Sequence, residues 1–239
     1  GKNLQDHLTV NISATVEGHS TFYEELRGLN VIKHLINYYR NKPSLFSYAA
    51  ADVGVFFKLD ESSQNPDFQI HFAPGAGQYH KDGKMRPISG ITASVCQLRP
   101  FSRGSVKLQT ANYEDDPIID YGYLNDSRDT KILLKGIKIV RQFFKTTVMD
   151  NLNAKEIAPG IEVTNDNELE KFLKANALSV YHPVGTCKMG LDSTSVVDPE
   201  LRVHGIEGLR VADASILPQL ISGNTNAISN VIGIKCADL

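Results

Sequence analysis

An α+β fold, with a largely antiparallel sheet and helices packed on one face, is predicted by three features of this 239-residue chain. Short β-rich runs crowd its first 110 or so residues, long amphipathic stretches come only after residue 126, and the two do not alternate as βαβ units would.

The strand-like runs are Leu8 to Val16, Val53 to Leu59, Phe68 to Phe72, Ile91 to Leu98 and Val106 to Thr110, many of them separated by Gly, Pro, Asn or Asp. Between the first two, Val31, His34, Leu35 and Tyr38 recur at helical spacing, which predicts one short helix over Val31 to Tyr39 crossing the sheet. Ser127 reads as an N-cap, and Leu133, Ile137, Val140 and Phe144 then form an apolar stripe along a helix running to about Val148. A second helix starts after Thr164, with Asp166 and Glu168 in its first turn and Leu169, Phe172 and Leu173 on its face. Beyond Met189 the chain turns to short elements punctuated by Asp198-Pro199, His204-Gly205, Glu207-Gly208 and Leu217-Pro218, with one strand-like run at Leu209 to Val211. The last stretch, Asn226 to Leu239, is apolar on most sides, as a helix that must be buried would be.

Composition narrows the function classes. The 25 basic and 27 acidic residues are scattered and leave a net charge of −2, so nothing marks a nucleic-acid partner. Cys96, Cys187 and Cys236 are odd in number and far apart, which fits a reducing compartment and argues against disulfides; no CxxC pair or histidine spacing suggests a metal. Cys187 reads as a small packed residue. His7, His34, His71, His80 and His204 are expected in solvated or core-capping roles, and the Asp115-Asp116 and Glu24-Glu25 pairs on solvated loops. No apolar run reaches the roughly 18 residues that span a bilayer, and no signal peptide is evident, so the chain reads as cytoplasmic. It opens at Gly1 without methionine and stops within a helix, so both ends read as cut.

Pro74-Gly75-Ala76-Gly77-Gln78-Tyr79-His80 begins like a dinucleotide-binding fingerprint, but His80 stands where the third glycine belongs and no amphipathic helix follows. The stretch is expected to be a flexible loop ending the strand at Phe72.

The most chemically informative residues are Tyr181-His182-Pro183-Val184-Gly185-Thr186-Cys187-Lys188-Met189-Gly190 and, about forty positions on, Ile221-Ser222-Gly223-Asn224-Thr225-Asn226. The first supplies an imidazole held between turns and the second an amide at the start of the last helix, a pairing suited to taking a proton from a hydroxyl. On the residues alone, His182 is equally well a turn histidine bonded to a carbonyl, and Asn224 an N-cap.

Four stretches resemble the glucose-methanol-choline oxidoreductases, FAD enzymes that oxidise alcohols. Asn3-Leu4-Gln5-Asp6-His7 is similar to the family's NLQDH segment, and Pro100 to Val106 to its PxSRGxV strand entry. His182 to Gly190 resembles HPxGTxxMG, in the form found in the choline dehydrogenase and aliphatic alcohol dehydrogenase branch. Val197 to Ser215 resembles the VVDPxLRVHGxxGLRVxDAS block. The resemblance implies a C-terminal portion without the GxGxxG unit: residues 1–8 as a remnant of the FAD-binding portion, 9–190 as the substrate-binding domain, and 191–239 as a segment returning into the FAD-binding domain. It implies His182 as the base, Asn224 as the group orienting the substrate oxygen, and Asp213, Ala214, Thr225 and Asn3 as FAD contacts. The implied substrate is a small primary alcohol, oxidised to an aldehyde. This chain alone is expected to lack an adequate FAD site and activity, its partner being the missing N-terminal FAD-binding domain, and its terminal helix is expected to drive self-association. The resemblance leaves room for a parent protein at the periphery of the inner membrane. Rival readings are a hydroxynitrile lyase on the same fold and a non-catalytic binding module.

Overall fold

The structure, a computed structural model, describes residues 1–49, 51, 53–79 and 84–239. Its elements run β1 (Lys2–Leu4), β2 (Leu8–Thr15), α1 (Phe22–Glu25), α2 (Gly28–Tyr39), β3 (Val53–Phe57), β4 (Phe68–Ala73), β5 (Ala76–Tyr79), β6 (Met85–Ile88), β7 (Gly90–Gln97), β8 (Gly104–Lys107) and β9 (Ile118–Asp120). There follow α3 (Ser127–Phe143), α4 (Thr147–Asn151), β10 (Lys155–Ala158), α5 (Asp166–Asn176), β11 (Leu178–Ser179) and α6 (Thr225–Ala237).

The predicted α+β architecture is observed. The main sheet has the order β10-β2-β7-β4-β3, β11 pairs with the start of β2, and every pairing is antiparallel. Val10, Ile12 and Ala14 of β2 lie opposite Val95, Ala93 and Ile91 of β7, and Val95 and Ala93 pair in turn with Ile70 and Phe72 of β4. The period of two therefore gathers these side chains on one face, which α3 and α5 cover with Leu133, Ile137, Val140, Leu169 and Leu173. The other face is polar. Asn11 bonds Ser94 at 2.7 Å, Ser13 bonds Thr92 at 3.0 Å, and β4 contributes Gln69 and His71.

Helix α3 approaches the sheet closely only because residue 136 is glycine. A Cβ there would stand 2.6 Å from Val95 Cγ1 and 2.8 Å from Phe68 Cε1, and both of those side chains are fully buried. Alanine improves helix propensity by about 1 kcal/mol, but overpacking a rigid core costs about 1–3 kcal/mol. Gly136→Ala should thus lower stability by up to about 2 kcal/mol, read as a shift in the urea midpoint at unchanged slope.

Several boundaries differ from expectation. The N-cap of α3 is Asp126, whose carboxylate accepts the Arg128 N–H at 2.9 Å, and Ser127 is already helical. The helix ends at Phe143, short of Val148, because Thr146 is extended and its hydroxyl donates to the Phe143 carbonyl at 2.9 Å, a local bond that competes with the helical ladder. Helix α2 does not cross the sheet. His34 bonds Glu25 at 3.0 Å and accepts the Leu45 N–H at 3.2 Å, which ties α2 to α1 and to the 3-10 turn Leu45–Ser47 and leaves none of its residues buried. Glu24 and Glu25 belong to α1 rather than a loop, Glu24 forming a capping box with Thr21.

The glycine-rich stretch near Pro74 is not a loop: Ala76–Tyr79 is a strand paired with β6, and His80 lies outside the described residues. The run expected at Val106 to Thr110 sits earlier, at β8, which pairs with β1 and β9 in a separate sheet. Leu209 to Val211 supplies only a bridge between Arg202 and Arg210, since Gly205 and Gly208 turn the chain at φ +77° and +71°. Val197, Leu201, Ile216 and Ile232 form a second small core, against which α6 buries little else: Val231 and Ile234 are exposed.

Candidate active site

Three distant segments converge where the first residues of the chain meet the loop after β11 and the stretch from Pro218 to Leu220. Gln5 exchanges backbone bonds with Val184, at 3.0 and 2.8 Å. Its buried side chain donates to the Pro218 carbonyl at 3.2 Å and accepts the Leu220 N–H at 3.1 Å. Asn3 adds bonds from its amide to the carbonyls of Gly185, at 3.3 Å, and Pro218, at 3.1 Å. Gly185 has φ +95° and a Cβ there would stand 2.4 Å from the Asn3 carbonyl oxygen, so only glycine lets these segments close together.

Asp6 is the hub beneath this layer. One of its oxygens accepts the backbone N–H of His7 at 2.9 Å and of His182 at 2.8 Å; the other accepts the Ser179 hydroxyl at 2.5 Å and the Tyr123 hydroxyl. The carboxylate thereby fixes two histidines 175 positions apart. Tyr181, at φ +62°, turns the chain just before His182, and Pro183 restricts the residue that precedes it.

The two imidazoles meet edge to face at 5.2 Å between centroids, with Nδ1 atoms 2.9 Å apart. His7 is wholly buried and its Nε2 lies 3.0 Å from the Leu98 carbonyl oxygen. On the outer side of His182, Nε2 stands 3.4 Å from Asn224 Nδ2, while Asn224 Oδ1 accepts from Gln69 Nε2 at 3.3 Å. Asn224 is thus the residue before α6, yet its side chain caps no helical N–H. It faces the histidine.

Burial pushes the His182 pKa below its usual value; the Asp6 charge opposes this and His71 reinforces it. Burial likewise drives His7 down to about 4, although its bond to the Leu98 carbonyl works the other way. Both rings are therefore neutral at pH 7, as a proton acceptor must be.

The structure brings His182 and Asn224 together, with Thr225 buried at the head of α6. Asp213 and Ala214 lie on a 3-10 turn where Asp213 accepts the Ser215 N–H at 2.7 Å, and that turn is joined to the His182 segment by bonds from Cys187 N to Ser215 O and Met189 N to Ile216 O. Asn3 is engaged in joining loops, as described. Residues missed in the sequence are Asp6, His7, Gln69 and His71. Of the two roles expected for His7, solvated or core-capping, the structure shows the buried one, and adds a contact with His182 that was not foreseen. The available signal was its place in the NLQDH segment, beside an acidic residue at the start of an apolar strand.

Comparison with known proteins places this arrangement. The chain is 40% identical over 245 residues to the alcohol dehydrogenase [acceptor] of Pseudomonas putida, and 35% identical over 239 residues to the oxygen-dependent choline dehydrogenase of Escherichia coli K12. Each alignment covers 100% of this chain and 43% of the relative, so the chain spans less than half the length of either. Among solved structures it superimposes on a formate oxidase of Aspergillus oryzae with a TM-score of 0.88 over 99% of this chain and 46% of the other, at 24% identity, a likeness of fold. The family model for GMC oxidoreductase matches residues 100–233, from the loop that precedes β8 through His182 into α6. With more than half its residues inside that model, this chain belongs to the GMC oxidoreductase family.

Proposed function

We propose that this chain is the substrate-binding and base-bearing portion of an FAD-dependent oxidoreductase that oxidises a small primary alcohol to an aldehyde. The observation that carries the reading is the pair of half-buried His182, at Nε2, and exposed Asn224, at Nδ2, 3.4 Å apart on the open side of the buried hub. An alcohol hydroxyl lodged between them would donate its proton to His182 and accept a bond from the Asn224 amide; an amide takes no proton, so His182 is the single base. FAD, when bound, supplies the acceptor for the hydride that leaves the carbinol carbon. The chain's residues fit such a group: Asn224 leaves the first-turn N–H groups of α6 uncapped beside the dyad, a cluster of donors suited to an electron-rich ring edge. Thr225, Ala214, Asp213 and Asn3 are the residues that would hold the FAD.

The names of the two sequence relatives favour alcohol chemistry and include choline as one substrate. In this reading residues 1–8 and 191–239 belong with the flavin-binding portion and 9–190 with the substrate domain, and the chain by itself turns over no alcohol. The test is anaerobic mixing of the full-length, flavin-loaded protein, of which this chain is the proposed part, with n-alkanols and with choline. Bleaching of the oxidised flavin with release of aldehyde is expected. A flavin that stays oxidised while a cyanohydrin is cleaved would replace this reading with a lyase, and no response to either would leave a binding module.

A further inference from the structure

A base of this kind needs its accepting nitrogen bare, and the contacts around His7 decide which nitrogen of His182 that is. A carbonyl oxygen only accepts, so the 3.0 Å contact to Leu98 requires the His7 proton on Nε2. A neutral, wholly buried His7 then has a lone pair at Nδ1. The 2.9 Å contact between the two Nδ1 atoms needs one hydrogen, which His182 must supply. With its proton on Nδ1, neutral His182 keeps a lone pair on Nε2. The other end of the chain agrees independently: Gln69 donates to Asn224 Oδ1, which turns Asn224 Nδ2, a donor, toward His182 Nε2.

We propose that His7 is a positioning residue that holds His182 in its Nδ1–H tautomer, leaving Nε2 as the only atom that receives the substrate proton. This rests on reading His182 as the base. The arrangement differs from a serine-hydrolase triad, where a carboxylate receives the Nδ1–H. Here the acceptor is a neutral ring, and Asp6 engages the backbone N–H groups of both histidines instead of their rings. His182 is oriented with no carboxylate bonded to its ring. When it takes the proton, its Nδ1–H bond to His7 becomes charge-assisted and shortens.

Long-range proton–nitrogen correlation spectra of the uniformly 15N-labelled chain at neutral pH test this directly, because they separate bare from protonated ring nitrogens. The expected pattern for His182 is a protonated Nδ1 and a bare Nε2. His7→Asn, which places an amide oxygen near the lost Nδ1, should preserve it; His7→Leu, which offers no acceptor, should shift His182 toward the Nε2–H form. A wild-type His182 with its proton on Nε2, or a folded His7→Leu chain with unaltered nitrogen shifts, would overturn the proposal. Should His7→Leu fail to fold, the flavin-loaded His7→Asn and His7→Met proteins decide. The first should keep kcat near wild type and the second should lose roughly 10²–10⁴ in kcat at similar KM, the range from losing general-base help to holding a triad histidine in the wrong tautomer. Equal kcat in the two would likewise overturn it. The spectra require neither flavin nor turnover, so a correct tautomer in a protein that oxidises no alcohol would sink the proposed function and leave this inference standing.

Discussion

Replacing His182 with alanine should slow flavin reduction by alcohol about 10²–10⁴-fold in the flavin-loaded protein, the usual contribution of a positioned general base. The substitution suits the purpose because the backbone N–H that donates to Asp6 at 2.8 Å is retained, so the loop keeps its anchor while the imidazole is lost. Asn224→Ala should do less, about a five- to tenfold loss, since it removes one uncharged hydrogen bond worth about 1 kcal/mol. Stopped-flow absorbance under anaerobic conditions separates the two. If His182→Ala reduced its flavin as fast as wild type while Asn224→Ala did not, the proton acceptor would lie elsewhere.

Acid should destabilise the fold through His7. Its folded pKa is about 4 and the ordinary value is 6.5, so between those pH values the unfolded chain binds a proton that the folded chain refuses. Stability from this group is fully present above pH 6.5 and is lost as the pH falls toward 4, by up to about 3 kcal/mol. His182 and His71, both held below their usual values by burial, push the same way. Urea unfolding of wild type and His7→Gln at pH 7, 6 and 5 gives the measure: the wild-type curve should fall more steeply with acid. Parallel pH dependences would mean that His7 does not titrate with unfolding.

The fold was largely legible because its determinants are local. Alternation in Leu8 to Val16 and Ile91 to Leu98 and the stripe from Leu133 to Phe144 each declare which face is buried, and one register satisfies them together. Boundaries were less legible where a side chain intervenes from nearby, as the Thr146 hydroxyl does at the end of α3, or where partners are remote, as with β1, whose three residues pair with β8 about 100 positions away. The site divided in the same way. His182 and Asn224 sit in loops whose Pro and Gly draw notice. Gln69 and His71 looked like ordinary members of a strand, and nothing local to Phe68–Ala73 tells that its polar face points at a histidine 111 positions on. His7 was obscured for a related reason: a lone histidine before an apolar run is commonly a core residue, and its burial is indeed complete. Only its second nitrogen distinguishes it.

Gln5 bears on how the dyad behaves in motion. It is bonded at once to Val184, two residues past the base, and to Pro218 and Leu220, which lead into the loop bearing Asn224. Thermal displacement of either loop must drag the other with it, so the separation between His182 and Asn224 varies less than the position of either relative to the sheet. The spacing between base and orienting amide is in this sense a property of a linkage with its pivot at residue 5, and fluctuations that carry the loops toward or away from a bound reactant do so as a matched pair.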